Sequence, residues 1–289
     1  KYTLNISTGF QQTTRKIPLL NGTEYALLAN EAFAANGDPL PFPNINDVNV
    51  NTDWQDAAFD DAPLYSIDFG VTKGTENTSL SFNLSVTEQQ GIVGRDKQEF
   101  NRRVLRLNYD WDINDKLKLT TANSFTNTNA TGLPQNVLGS ILYNALNMPA
   151  TTPVFDANGD FSLPPQTGTG VEVVNPLAQI DFANNLTTVN RFSGSYGLSY
   201  KFSEYLSAET RFQFNYSVNK TRSYSPVATF GNGIVPEFHV VDAQINYTVP
   251  EWKSVFKIGG ANLTGQEYFS APGVGAIGSQ VYISWSINN

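Results

Sequence analysis

The chain holds one histidine and no cysteine. Thiolate metal sites, cysteine nucleophiles and disulfides are outside its chemistry, and so is any multi-histidine metal site. His239 would have to carry any histidine-dependent acid–base step. It stands among apolar neighbours where a strand begins, which reads as a girdle or loop histidine rather than a general base. No serine–histidine–aspartate set can be placed around it, and an enzyme is not expected. Asp156, Asn158 and Asp160 have the alternate spacing that opens a calcium loop, but the glycine after the third ligand and a glutamate in the twelfth position are missing. An Asn-Gly turn is the better reading, and no cofactor is expected. The acidic run Asp53, Asp56, Asp60 and Asp61 could hold calcium or a partner; a solvated loop accounts for it as well.

Two further groups could recognise a ligand without catalysis. Arg106, Asp110, Glu209 and Arg211 fall between apolar residues in alternating stretches, so they share a polar face with many Ser, Asn and Thr. Charges so placed can line a solute path or pair with one another. Trp54, Phe59, Tyr143 and Phe155 lie in polar connecting stretches. Such rings can stack on sugars, and loops packing on themselves use the same residues.

The elements that must carry these residues are strands. In 190–202, Phe192, Tyr196, Leu198, Tyr200 and Phe202 alternate with Ser193, Ser195, Gly197, Ser199 and Lys201. After the turn Ser203-Glu204-Tyr205, alternation resumes from Leu206 to Val218. Period two over this length predicts two strands far longer than the usual run of about 5–6 residues, long enough to cross a bilayer when tilted. The same pattern predicts strands over 2–10, 64–72, 79–87, 103–113, 117–127, 239–249, 255–263 and 280–288, about ten in all. Helices are expected over 23–36, with Thr23 as cap and Gly37 as stop, and over 137–146. Connections after the second, fourth, sixth and eighth strands are short. Those after the first, third, fifth, seventh and ninth are long. Tyr65, Tyr109, Trp111, Tyr200, Phe202 and Tyr205 are expected near the short-turn ends as an interfacial girdle.

Composition agrees with a wall that has one apolar and one polar face. Charged residues are 15% of the chain and aromatics 12%, against roughly 25% charged in soluble domains. No apolar run is long enough for a membrane-spanning helix. The mean hydropathy of −0.28 still suits a lipid-embedded barrel, which exposes only alternate residues to lipid. A formal charge of −8 argues against nucleic acid as partner, since phosphate contacts need a basic surface. A soluble β-sandwich or lectin shares the alternation. The strand lengths, and a polar face of Ser, Asn, Thr and Gly rather than Lys and Glu, favour the barrel.

Several segments resemble the SusC-like branch of the TonB-dependent outer-membrane transporters. "KYTLNISTGFQQ" with "IPLLNGTEYALLANEAF" resembles the family's first barrel strand and its loop helix. "NTDWQDAAFDDAPLYSIDFGVTKGTENTSLSFNLSVTEQQGIV" resembles its second and third strands, and "RLNYDWDINDKLKL" the next hairpin. "FHVVDAQINYTVPEWKSVFKIGGANLTGQEYFSAPGVGAIGSQVYISWSI" resembles its last three strands, including the pair Asn262 and Leu263. Together these cover most of the chain.

The resemblance implies an all-β, transmembrane antiparallel β-barrel of outer-membrane type, with about ten strands here of a 22-strand barrel and short helices in long extracellular loops. The whole of 1–289 would be barrel domain. Residues 1–222 would be N-terminal strands and 237–289 C-terminal strands, with a gap or junction near 223–236. The family's plug and TonB box have no counterpart here, and its terminal aromatic is replaced by Ile287-Asn288-Asn289. The resemblance also implies residence in the outer membrane of a Gram-negative bacterium, contact with its lipid, energy from a TonB complex acting through the plug, a SusD-like surface lipoprotein as lid, and import of oligosaccharides, peptides or similar nutrients. Arg106, Asp110, Glu209 and Arg211 would then face the lumen, where they could pair with each other or with a plug. The competing reading is a small self-contained outer-membrane barrel serving as adhesin, pore or structural subunit. It requires the seventh strand to pair directly with the eighth.

Overall fold

A computed structural model describes residues 1–94, 97–133, 139–165, 173–203, 207–223, 233–270 and 275–287. Ten strands form one antiparallel sheet in sequence order. They are β1 (Tyr2–Gln11), β2 (Ala62–Gly74), β3 (Thr78–Gln90), β4 (Glu99–Asn114), β5 (Leu117–Thr131), β6 (Leu186–Lys201), β7 (Ser207–Ser223), β8 (Gly233–Val249), β9 (Ser254–Ala261) and β10 (Gln280–Ile287). β7 pairs directly with β8, from Glu209↔Thr248 to Ser223↔Gly233. Among the described residues β10 pairs only with β9, and β1 only with β2. The described sheet is a barrel wall open at both edges.

Alternation sets the two faces. Phe192 opposes Tyr216 and Tyr196 opposes Phe212, while Leu107 opposes Phe82 and Asn123. On the other face Gln213 opposes Ser195 and Gln244. Arg106 and Asn108 of β4 line the same hollow as Tyr282 of β10. The sheet therefore curves with its polar face concave and its apolar face outward. The outward residues have no protein over them: Leu105 is 41% and Ile245 46% exposed. A soluble sheet would bury such a row, so its natural solvent is lipid.

Strands extend beyond the expected bounds, mostly at their loop ends. β4 begins at Glu99, β6 at Leu186 and β8 at Gly233, and β7 continues to Ser223. The apolar alternation stops earlier because the outward residues there turn polar. Backbone pairing needs no apolar side chain and continues past that point. Short turns close the other end. Asn114 Oδ1 accepts from the amides of Lys116 at 2.9 Å and Leu117 at 3.0 Å, the side-chain turn expected of Asn. The Ser203-Glu204-Tyr205 turn lies partly outside the described residues, as do Leu206, the middle of the 223–236 stretch and the end of the last strand.

Four helices sit in the long connections: α1 (Gly22–Asn36), α2 (Trp54–Ala58), α3 (Ile141–Asn147) and α4 (Pro176–Phe182). Asn21, not Thr23, caps α1. Its side chain accepts from Glu24 N at 2.9 Å while Glu24 returns a bond to Asn21 N at 3.0 Å, a reciprocal capping box. Gly37 ends the helix with φ 81°, a left-handed turn that favours glycine. α3 begins later than the expected 137–146; residues 137 and 138 lie outside the described set. α2 and α4 were not expected. Within the stretch read as an acidic loop, Asp53 caps α2 through Asp56 N at 2.9 Å. Asn175 caps α4, with Pro176 in its first turn. No helix among the described residues is long and apolar enough to cross a membrane.

Candidate functional site

The concave face is a polar ladder. Ser193 donates to Asn215 Oδ1 at 3.1 Å, and Asn215 donates to Asp242 Oδ2 at 3.0 Å. The other oxygen of Asp242 accepts from the Asn262 amide at 2.8 Å. Asn262 holds a left-handed φ of 52° and is 2% exposed. Asp242 thus fixes the kink that ends β9 and turns the following segment inward, where Tyr268 stacks on Phe238 at 4.2 Å. Gln213 accepts from Gln244 at 3.0 Å and from Asn246 at 3.2 Å. Tyr282 reaches over Gly259 to donate to Gln244. A Cβ on Gly259 would stand 2.8 Å from that hydroxyl, so glycine there makes room for the ring.

The ladder borders a hollow of about 700 Å³. Arg106, expected on this face, lines it, and so does Arg191, which the sequence reading passed over. Neither is in an ion pair among the described residues. Asp110 is on the same face nearer the short turn, opposite Ser79 and Thr120, and does not pair with Arg106. Glu209 and Arg211 do meet: Arg211 Nε is 3.0 Å from Glu209 Oε1, and a second guanidinium nitrogen bonds the same oxygen. Gly197 leaves the guanidinium its space, since a Cβ there would be 3.2 Å from Arg211 Cζ. This pair is half-exposed and neutralises itself, leaving Arg106 and Arg191 as the open cations of the hollow.

The connections after β1, β3 and β5 build a second region, a cap at the loop end. Trp54 is 2% exposed, and its indole nitrogen donates to Pro149 O at 3.0 Å. It centres an apolar core with Ala58, Leu133, Ile141, Ala145, Met148 and Ala183. The face of its ring is therefore taken up by the cap itself. Tyr143 is partly buried on α3. Phe155 is exposed on one side and packs on Phe161 at 5.0 Å. Phe59 pairs by its backbone with Val93, which ties the connection after β3 into the same core. Two buried amides, missed from sequence, lock the cap. Asn144 donates to Gln179 Oε1 at 2.8 Å, Gln179 donates to Gly139 O at 2.8 Å, and Val174 N donates to Asn144 Oδ1 at 3.1 Å. Both side chains are fully enclosed, so each polar atom lost there would go unsatisfied.

A cleft of about 490 Å³ runs along the cap between residues 16–21, 51–55 and 146–150. Gln55 holds its rim, accepting from Ile17 N at 2.9 Å and donating to Ile17 O at 2.7 Å. Lys16 lies 2.5 Å from Asp56 and 3.7 Å from Asp53. The hydrogen bond to Asp56 holds its amine above the ordinary lysine range. Tyr25 also lines the cleft, and burial pushes its phenol up.

The calcium-like stretch is a turn. Asp156 Oδ1 accepts from the amides of Asn158 at 2.8 Å and Asp160 at 3.0 Å, and Gly159 has φ 87°. Its carboxylate serves its own backbone. No group of three metal-capable side chains occurs among the described residues. His239 lies on the outward face beside Tyr216, whose hydroxyl is 2.7 Å from Nδ1 and whose ring stacks on the imidazole. Trp111 and Tyr200 lie near the short-turn ends as expected. Tyr65 does not, because β2 begins at the loop side and Tyr65 is near its start; it belongs to the opposite rim. Tyr205 lies outside the described residues.

No protein-family model matches the chain. It is 30% identical over 227 residues to TonB-dependent receptor P26 of Formosa agariphila, covering 77% of this chain and 22% of that protein. It is 27% identical over 217 residues to TonB-dependent receptor SusC of Bacteroides thetaiotaomicron, covering 68% and 20%. In solved structures it is similar to a chain of the RagAB peptide importer in the closed-closed state, with TM-score 0.58 and 20% identity over 93% of this chain and 32% of that one. For the open-open state the TM-score is 0.60 at 16% identity, covering 98% and 38%. These likenesses carry the barrel fold. The chain spans about a fifth of the length of the curated relatives.

Proposed function

The chain belongs to the SusC-like TonB-dependent receptors, and on that premise we propose that it forms barrel wall and loop cap of an outer-membrane importer. The observation that carries this is the union of the 30% identity to a TonB-dependent receptor with a lipid-suited wall whose connections after β1, β3 and β5 fold into one packed cap. In this reading residues 1–222 and 237–289 are wall segments meeting near 223–236. Gram-negative outer-membrane lipid surrounds them. The solute passes on the concave side. A TonB complex supplies energy through a plug, and a SusD-like lipoprotein closes the loop face. Oligosaccharides, peptides or similar nutrients are the cargo; RagAB, whose fold this chain shares, is described as a peptide importer.

Uptake of labelled oligosaccharide and peptide mixtures by cells with and without the gene tests this. The expected result is loss of one uptake activity on deletion, and the same loss in the parent strain when the proton gradient is collapsed. Uptake that survives both treatments would overturn the reading. The direct β7–β8 seam supplies one pairing that the second reading requires, a self-contained barrel acting as adhesin, pore or structural subunit, while the closing β10–β1 pairing is absent among the described residues. Intact mass of the protein from its own membrane separates the two: near 31.8 kDa for the self-contained barrel, several times that for a receptor.

A further inference from the structure

Strands β4 to β7 outrun the apolar belt at their loop ends. A strand needs about 9–11 residues to cross the hydrocarbon, whereas these have 16, 15, 16 and 17. On the outward face of the surplus, Asn127 donates to Asn190 Oδ1 at 2.7 Å, Asn129 to Asn127 Oδ1 at 3.2 Å, and Thr188 to Asn129 Oδ1 at 2.9 Å. One cation flanks this floor on each side. Arg103 of β4 is opposite Asn127, and Lys220 of β7 is opposite Thr188. Arg222 stands one outward step further along β7, opposite Leu186. All three cations are exposed, and none is in an ion pair among the described residues. Of the acids on this rim, Glu88 stands opposite Asn101 on β4, Glu99 lies one outward step beyond Asn101, and Glu237 is engaged with His239 at 3.6 Å.

We propose that this outward band is a binding site for phosphate-bearing glycolipid headgroups. Arg103 and Lys220 are separated by three strand spacings and one two-residue step along the strands, about 16 Å between backbones, and their long arms close part of that distance. The cations take phosphate oxygens by charge-assisted hydrogen bonds. The Asn–Thr floor takes sugar hydroxyls, with the Asn190 amide nitrogen left without a protein acceptor among the described residues. The band lies just past the apolar belt, which is the depth of headgroups. The inference rests on the proposed membrane setting only in requiring that the outward face meet lipid.

The test is native mass spectrometry of the receptor, purified from its own membrane in detergent and titrated with diphosphorylated lipid A. Binding is expected for the native protein. It falls roughly tenfold or more in the double variant Arg103→Gln, Lys220→Gln, and is kept in Arg103→Lys, Lys220→Arg. Lys73→Gln, on the outward face at the opposite rim, leaves it unchanged. Lipid A stripped of phosphate binds the native protein no better than the double glutamine variant. Equal binding by that variant, or equal loss in Lys73→Gln, would overturn the proposal. Displacement of lipid A by an equal concentration of pyrophosphate would replace a lipid site with a free-phosphate site. A protein that inserts into phosphatidylcholine vesicles but shows no preference for lipid A defeats this inference alone. One that fails to insert defeats the barrel reading beneath it.

Discussion

The wall and the cap use similar residues to opposite ends. In the wall, most large apolar side chains point away from the protein: Leu107, Phe212 and Ile245 are all exposed, and the buried strand hydrophobics are few, chiefly Val104 and the small β8 cluster of Val235, Phe238 and Val240. In the cap, Trp54, Ile141 and Met148 are buried against one another as in a globular protein, and the amides of Asn144 and Gln179 are sealed in with them. The wall must borrow its apolar medium from lipid. The cap carries its own. Substitutions of one kind should therefore have different costs in the two regions.

The largest effect is expected at Trp54→Ala. Losing the ring and its bond to Pro149 should cost the cap about 3–5 kcal/mol. Hydrogen exchange should speed up in α2, α3 and α4 while the amides of β3 to β7 stay protected. Equal loosening of strands and helices would merge the two regions into one cooperative unit. Next comes Leu107→Arg, on the outward face near the middle of the belt. It should cost about 2–4 kcal/mol in vesicles, measured by denaturant unfolding. Ala122→Arg, one strand away and facing the hollow, should cost far less. Comparable costs would mean that the outward face does not meet lipid.

Gln179→Ala is a smaller perturbation. It takes an acceptor from the buried Asn144 amide and one of two donors from Gly139 O, which keeps Asn144 at 3.1 Å; the cost is about 1–3 kcal/mol, and exchange should rise in α3 and α4 only. The smallest effect belongs to Lys16. Its amine is held above the ordinary value of 10.5 by the bond to Asp56. Its contribution is therefore full below that value and fades as pH rises through the higher folded one. Exchange near α2 should rise in strong alkali beyond the intrinsic base-catalysed increase, and Lys16→Met should remove that extra pH dependence by showing the slightly faster exchange already at neutral pH.

The same contrast explains what the sequence disclosed. Period two survives wherever one face meets lipid, so β6 and β7 were visible from Phe192 to Val218. It fades where Asn127, Asn129, Thr188 and Asn190 take the outward positions, and there the strand ends were read several residues too soon. The cap was nearly illegible. Its core is assembled from α2, α3 and α4, each of five or seven residues, too short to show a helical period, and its partners are some ninety residues apart, as in Trp54 with Pro149. Asn175-Pro176 and Asp53 carried readable cap signals for α4 and α2. The Glu209–Arg211 pair followed from parity alone. Arg191 follows from the same parity inside the stretch 190–202, and nothing short of coordinates joins Asn144 to Gln179.

The absence of cysteine makes the central claim directly measurable. Single cysteines at Phe192, Leu198, Ser193 and Ser199 in β6, each carrying a nitroxide, report their surroundings in reconstituted vesicles through collisions with oxygen and with a water-soluble nickel chelate. The account predicts alternation: Phe192 and Leu198 open to oxygen and closed to nickel, Ser193 and Ser199 the reverse. Four labels shielded from both reagents would place β6 in a protein core, and four open to nickel would place it in water; either result would contradict a wall with lipid on one side and a polar hollow on the other.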